Sequence, residues 1–322
     1  MENISIGNSI LFTGTAAIIS FIFCSILGGL TIATASLTYG WKKKKGFLEK
    51  YAQQILKMTL WFIIGYILII AGGSLYLSKV TTHPIISFTL KGIISILKKN
   101  YVIALPFEGI FFCFFLCGFL YFLWDLFKGV KLLRVIIITF TTLSLWMCVY
   151  LITNSKVILF SKGLYALEQM AFSRLLIPSS EISIVLVLTY LALALGTGGA
   201  NLSLFLILRR KRDDYGRDYY KYVVPLSCKW NMVFLFLIPL ILLWILLVYR
   251  GHLPELYPLL YTAFLIAVLL CVIIGIDIKV IRSPQPLRLK EVLFISPVIS
   301  LLIDGCIIYM LMMLAKEIIL RA

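Results

Sequence analysis

Two acidic residues lie within strongly apolar stretches of this 322-residue chain. Glu108 comes near the start of an apolar run over 105–124, and Asp304 lies inside another over 292–315. Because a carboxylate is costly to bury near hydrocarbon, an acid at such a position usually faces the interior of a helix bundle and marks a pathway. Both residues are candidates for a proton relay. The competing interpretation is a structural hydrogen bond or, for Glu108, contact with lipid headgroups.

Other polar and aromatic residues at the ends of the apolar runs indicate contact with the membrane surface. Asp125 and Asp277 adjoin Lys128 and Lys279, which favours solvated ion pairs. A run of tyrosines further along the chain is typical of an interfacial aromatic belt. Its members are Tyr215, Tyr219, Tyr220 and Tyr222.

The composition places the chain among membrane proteins. It is 61% hydrophobic and 14% charged, with a mean hydropathy of +1.03, whereas soluble domains average about 45–50% and about 25%. Several apolar runs reach the roughly 20 residues that cross a bilayer as a helix. The sequence therefore predicts an all-α polytopic membrane protein with eight transmembrane helices. The predicted spans are about 9–38, 55–77, 103–124, 132–153, 182–208, 230–250, 257–276 and 292–315.

Cysteines and histidines offer no metal-binding pattern. The seven cysteines are scattered among the apolar runs, and the two histidines, His83 and His252, lie between predicted spans. A metal site needs clustered thiolates or imidazoles. The sequence predicts that this chain binds no metal and that its cysteines serve as small buried side chains.

The net charge of +16 does not indicate a nucleic-acid-binding surface, because the lysines and arginines cluster in short loops between the predicted spans. Assigned to alternate loops, roughly two-thirds of the lysines and arginines fall on one side, which the positive-inside rule makes cytoplasmic. The densest clusters, Lys42–Lys45 and Arg209–Arg212, share that side. We expect both termini to face outward across a bacterial-type inner membrane, and structural lipids, anionic ones included, to contact the basic loops.

The order of features indicates two tandem four-helix bundles. Predicted spans 1 and 5 both contain closely spaced glycines and both precede a basic cluster, and small residues allow close helix approach in lipid. The predicted division is a first unit over 1–155, an outer amphipathic linker over 156–181 and a second unit over 182–322. A further amphipathic stretch, His83–Asn100, could lie on the membrane or against a partner.

Over nearly its whole length the chain resembles subunit I of the cytochrome bd quinol oxidases. The third span of that family opens with a proline, a Glu-Gly pair and a phenylalanine-rich run and closes with Trp-Asp. Its fourth span ends in a Leu-Ser-aromatic pattern and an asparagine, and its eighth has a proline before an acidic-Gly pair. The matching residues are Pro106, Glu108-Gly109, Phe111-Phe112, Phe114-Phe115, Trp124-Asp125, Leu143–Leu145 (with a leucine at the aromatic position), Asn154, Pro297 and Asp304-Gly305.

The haem ligands of that family have no counterpart here. The histidine of its first span corresponds to Ser20, the histidine of its fifth span to Leu186 or a neighbour, and the paired methionine to about Leu260. Haem iron takes His, Met, Cys or Tyr, not serine or leucine. The long quinol-binding loop is also reduced, to about 249–257. The resemblance therefore implies a retained helical frame that binds no haem.

Three functions remain open at this point. The resemblance implies a haem-free, non-catalytic subunit that anchors other membrane and redox subunits of a respiratory complex. It would contribute to a quinone or proton site, for which Glu108 and Asp304 are the candidate residues. An alternative is a quinone-reactive membrane anchor like those of polysulphide and nitrite reductases, which also have eight spans and no haem. The third is a small-solute or ion transporter, because tandem repeats with intramembrane acids are also a transporter design.

Overall fold

Eight long α-helices make up most of the protein. The computed structural model describes residues 6–80, 101–168, 172–213, 215–249 and 256–321, and this part of the chain has no β-strand. The eight helices are α1 (Ile6–Lys43), α2 (Gly46–Val80), α3 (Tyr101–Phe122), α4 (Lys131–Glu168), α5 (Glu181–Arg209), α6 (Arg217–Tyr249), α7 (Leu256–Arg282) and α8 (Lys290–Arg321).

All eight helices are long and apolar enough to cross a bilayer, which confirms the predicted all-α polytopic class. The apolar windows predicted their number, but two helices begin well before the predicted starts at 55 and 230. Helix α2 begins at Gly46 and α6 at Arg217, because polar, helix-compatible residues extend each helix beyond its apolar portion. The predicted stretch His83–Asn100 lies outside the described residues.

Helix packing divides the chain into two compact units, here called the major unit (residues 1–59 and 188–322) and the minor unit (residues 60–187). These units follow contacts between helices, so their limits differ from the predicted boundaries at 155 and 182. Helix α4 continues without interruption through the first part of the predicted linker, to Glu168. The tandem repeat stays a prediction.

In the major unit, α1 and α5 cross at glycines, at which the sequence predicts close helix approach without indicating which helices meet. A β-carbon on Gly28 would overlap the carbonyl oxygen of Ala194, and one on Gly198 would lie 2.9 Å from the carbonyl carbon of Gly28. Beside this crossing, Asn201 Nδ2 donates a hydrogen bond of 2.8 Å to Ser25 Oγ. The two backbones therefore touch directly, and dispersion and hydrogen bonding hold them together in lipid.

Two of the four tyrosines lie inside the protein, so the prediction of an interfacial belt was wrong for these two. Tyr219 and Tyr220 are fully buried. The Tyr219 hydroxyl donates to Gln54 Oε1 at 2.6 Å, and the hydroxyls of Tyr51 and Ser227 are 2.9 Å apart. These contacts attach α2 to α6. Burial of a tyrosine is tolerated when its hydroxyl finds such a partner.

An ion-pair cluster closes the α5–α6 connection. Asp213 accepts hydrogen bonds from Lys57 Nζ on α2 at 3.2 Å and from Arg209 Nε at 3.1 Å, and the Tyr220 hydroxyl donates to the Asp213 carbonyl. Burial alone would raise the pKa of Asp213, but the hydrogen bonds and positive charges of Lys57 and Arg209 outweigh it and hold that pKa below its usual value.

We expect Asp213→Asn to reduce the stability of the fold at neutral pH and to make that stability less dependent on pH in the acidic range. An aspartate with a lowered folded-state pKa stabilises the fold above the unfolded pKa of about 3.9, and this contribution is lost as the pH falls through the folded value. Thermal unfolding in detergent should show a loss of about 1 kcal/mol at pH 7 and a smaller loss on acidification than in wild type. The control Asp218→Asn changes an exposed acid nearby; equal behaviour of the two variants would contradict the prediction.

In the minor unit, one buried cation organises the turn between α3 and α4. Arg134 is 2% exposed. Its Nε donates to the carbonyl of Phe127 at 3.0 Å, and its guanidinium lies 4.6 Å from the centre of the Trp124 ring. The cation–π contact and the hydrogen bond together compensate for its burial.

In the second half of α4, Asn154 fixes the path of the chain into α5. Asn154 is fully buried. Its Nδ2 donates to the carbonyls of Leu175 and Ile177, at 2.9 Å each. Its Oδ1 accepts from the backbone N–H and the hydroxyl of Ser179 and from the hydroxyl of Ser183. One side chain thus satisfies much of the backbone in this connection.

Candidate functional site: buried polar groups within the helices

Three buried polar side chains follow one face of α8. Ser296, Ser300 and Asp304 are each fully buried. Their spacing of four residues puts them on one side of a helix, and from first to last they extend over about 12 Å of its axis. We call these three residues the α8 seam. A polar seam of this kind within an apolar helix is the arrangement found along proton and ion pathways.

Asp304 forms the C-terminal end of the seam and faces α1. Cys24 lies within electrostatic range of it, and a β-carbon on the adjoining Gly305 would lie 3.7 Å from that of Ala17. Ser20 lies between Ala17 and Cys24 on the same face of α1. Neither carboxylate oxygen of Asp304 has a hydrogen-bond partner among the described residues. An acid in these surroundings strongly favours a bound proton or a positive partner.

Asp277 and Asn231 form a second polar group at the other end of the seam. Asn231 Nδ2 donates to Asp277 Oδ2 at 2.8 Å and to Ser296 Oγ at 3.2 Å, and the Cys228 thiol lies beside the carboxylate. In the part of the chain that the structure describes, Asp277 Oδ1 and Asn231 Oδ1 accept no conventional hydrogen bond. Two buried acceptor oxygens therefore remain for a proton, a water or a cation.

The neighbouring Asp277 and Lys279 predict a solvated ion pair, and this prediction was wrong for Asp277. Its exposure is 1%, whereas Lys279 is exposed. The carboxylate is turned inward on α7, where Asn231 of α6 supplies the donor that a lysine would have supplied at the surface. Asp125 is exposed, as its predicted place at the membrane surface requires.

Glu108 differs from Asp304 in its surroundings. It belongs to the minor unit, whereas Asp304 belongs to the major unit. Its side chain is exposed on α3, next to the exposed Phe107. This exposure favours contact with headgroups or a partner over a relay inside the minor unit.

The positions that correspond to haem ligands carry side chains that do not fit haem. Ser20 is half-buried, with its hydroxyl 4.0 Å from the Cys24 sulphur. Leu186 is half-buried and Leu260 is 41% exposed. Neither a serine hydroxyl nor a hydrocarbon ligates haem iron in the known haem proteins. These three side chains therefore supply no haem ligand at the positions that the resemblance indicates.

Sequence reasoning missed Asn231, Ser296 and Ser300 as polar partners. The sequence does indicate the two serines in part, because the spacing of four residues between Ser296, Ser300 and Asp304 within an apolar run predicts a shared helical face. The pairing of Asn231 with Asp277 joins two helices and leaves no local pattern.

Comparisons with known proteins give the chain no relative. No protein-family model, no curated protein and no solved structure matches it. The likeness to the oxidase subunit therefore rests on the residues alone.

Proposed function

We propose that this protein is a haem-free, cytochrome bd-like membrane subunit of a respiratory electron-transfer complex, where it anchors redox subunits and carries a proton through the α8 seam. The observation that carries this proposal is Asp304, a carboxylate that is fully buried with both oxygens unpartnered among the described residues. A group so costly to keep in a bilayer is usually retained for its exchange of protons or ions.

The remaining polar groups extend that role along α8. Ser300 Oγ is buried without a hydrogen-bond partner among the described residues, and Ser296 connects to Asp277 through Asn231. Hydroxyls and carboxylates at such spacing can pass a proton when waters join them. Electrons would travel through cofactors of partner subunits, since the positions of the haem ligands carry Ser20, Leu186 and Leu260.

The proposal includes a location and partners. The protein would lie in a bacterial-type inner membrane with both termini outside, in contact with other membrane and redox subunits, lipids and a quinone. Nucleic acid has no part in it. The charge distribution between loops supports the orientation. The resemblance at Pro106–Asp125 and Pro297–Gly305 supports association with redox subunits.

The test is Asp304→Asn in the complex purified through a tag on the full-length chain in mild detergent. We expect redox subunits to copurify and quinol-driven proton uptake in liposomes to fall at least tenfold in the variant, because an amide cannot exchange the proton. Assembly should be unchanged on native mass spectrometry. Asp125→Asn, an exposed acid at a helix end, should behave like wild type.

Three results would overturn the proposal. They are the absence of any redox subunit, full proton uptake in Asp304→Asn, and a haem held by an axial ligand from this chain.

A transporter of small cations is the second candidate. The oxygens of Asp277, Asn231 and Ser296 are hard donors within a membrane-spanning bundle, which is the ligand chemistry that alkali cations require. Cation flux into proteoliposomes that contain the isolated chain would favour this function, and Asp277→Asn should abolish that flux.

A further inference from the structure

A cleft in the major unit lies at the end of α5 and the beginning of α8. Its volume is about 480 Å³, and it is lined by Ile207, Arg210, Lys211, Leu287 and Lys290. The size is within the range of sites that hold small molecules. Leu287 belongs to a short 3-10 turn, Pro286–Leu289, that leads directly into α8.

Three cations line this cleft without a countercharge. No acidic side chain is among its lining residues, and Arg210, Lys211 and Lys290 form no ion pair with any residue that the structure describes. The neighbouring Arg209 is different, because Asp213 neutralises it together with Lys57. Asp213 thus compensates Arg209 and Lys57, whereas among the described residues the three cations that line the cleft have no such partner and are available to an anion.

The position of the cleft indicates where that anion comes from. It lies at the ends of the membrane-spanning segments Glu181–Arg209 and Pro286–Leu311, and therefore at the boundary between hydrocarbon and water. The beginning of α8 adds the positive end of a helix dipole. Ile207 and Leu287 give the same cleft an apolar wall, which a soluble phosphate would not use but a glycerol and the first acyl carbons would.

We propose that this cleft binds the headgroup of an anionic phospholipid. The phosphate would contact Arg210, Lys211 and Lys290, and the glycerol would pack against Ile207 and Leu287. Basic pockets between transmembrane helices recognise lipid headgroups in this way. The proposal does not rest on the proposed function.

The experiment compares two variants with equal loss of charge. The cleft variant is Arg210→Gln, Lys211→Gln and Lys290→Gln; the control variant is Lys42→Gln, Lys43→Gln and Lys44→Gln, three exposed lysines in another basic cluster. Phosphatidylglycerol is titrated onto the full-length protein in neutral detergent micelles, where no membrane surface potential contributes. Native mass spectrometry counts the lipid bound, and thermal unfolding reports stabilisation.

We expect wild type to retain phosphatidylglycerol at least tenfold better than phosphatidylcholine, and the cleft variant to bind it about 100-fold more weakly. The control variant should lose less than threefold. Equal loss in both variants, or equal binding of the two lipids by wild type, would overturn the proposal. The proposal would also be overturned if inorganic phosphate stabilised the protein as much as phosphatidylglycerol does. If the triple variant cannot be purified, the single variant Lys290→Gln tests the proposal in its place. We expect it to bind phosphatidylglycerol at least threefold more weakly than wild type does.

Discussion

Gly28→Ala is expected to destabilise the major unit by about 3–5 kcal/mol and to reduce the yield of folded, monodisperse protein sharply. The added β-carbon would overlap the carbonyl oxygen of Ala194, and Gly198 lies directly beyond it. A flexible side chain could move aside from a methyl group, but backbone atoms of α5 can do so only if the whole helix shifts. The crossing therefore has no inexpensive way to accept even the smallest side chain.

The measurement is thermal unfolding and size-exclusion behaviour of the full chain in detergent. Gly14→Ala is the matched control, because it makes the same substitution on the same helix at a position with no atom within 4 Å of the new β-carbon. Since alanine favours helix over glycine, the control should be neutral or slightly stabilising. Equal stability of the two variants would contradict the close approach of α1 and α5.

Asn154→Ala is the second substitution with a large expected effect, a loss of about 3 kcal/mol or more. It removes the donor to the carbonyls of Leu175 and Ile177 and the acceptor of three hydrogen bonds from Ser179 and Ser183. Because Asn154 and Ser183 are fully buried, water cannot replace these partners without opening the connection.

Limited proteolysis at the α4–α5 connection and thermal unfolding would measure this effect. The control is Leu143→Ala on the same helix, where the side chain is 64% exposed. Asn154→Asp should be at least as destabilising as Asn154→Ala, since it places a buried carboxylate oxygen against the carbonyls of Leu175 and Ile177. An Asn154→Ala protein as stable and protease-resistant as the control would show that the connection is held by other contacts.

The eight helices were predictable because each needs only a local property, an apolar run of sufficient length. The glycine crossing was predictable in kind, since Gly28 and Gly198 have few other uses inside apolar helices. Which glycine meets which backbone was not, because that depends on the angle at which two distant segments pack.

The polar sites were less predictable, for the same reason. Asp277 next to Lys279 has the local pattern of a surface ion pair, and only the approach of α6 brings Asn231 to it. Tyr219 likewise has the pattern of an interfacial residue until Gln54 of α2 is in place. Asp304 could be singled out because a lone acid in an apolar run is informative by itself.

The direct backbone contact at Gly28 and Gly198 has a mechanical consequence. At this crossing no side chain separates the two backbones, so a displacement of α5 there must carry α1 with it. Arg210 and Lys211 directly follow α5, and Cys24 of α1 lies near Asp304. We therefore expect α1 and α5 to move as one body. A displacement of α5 at the membrane surface would then be transmitted through α1 to the part of the bundle around Asp304.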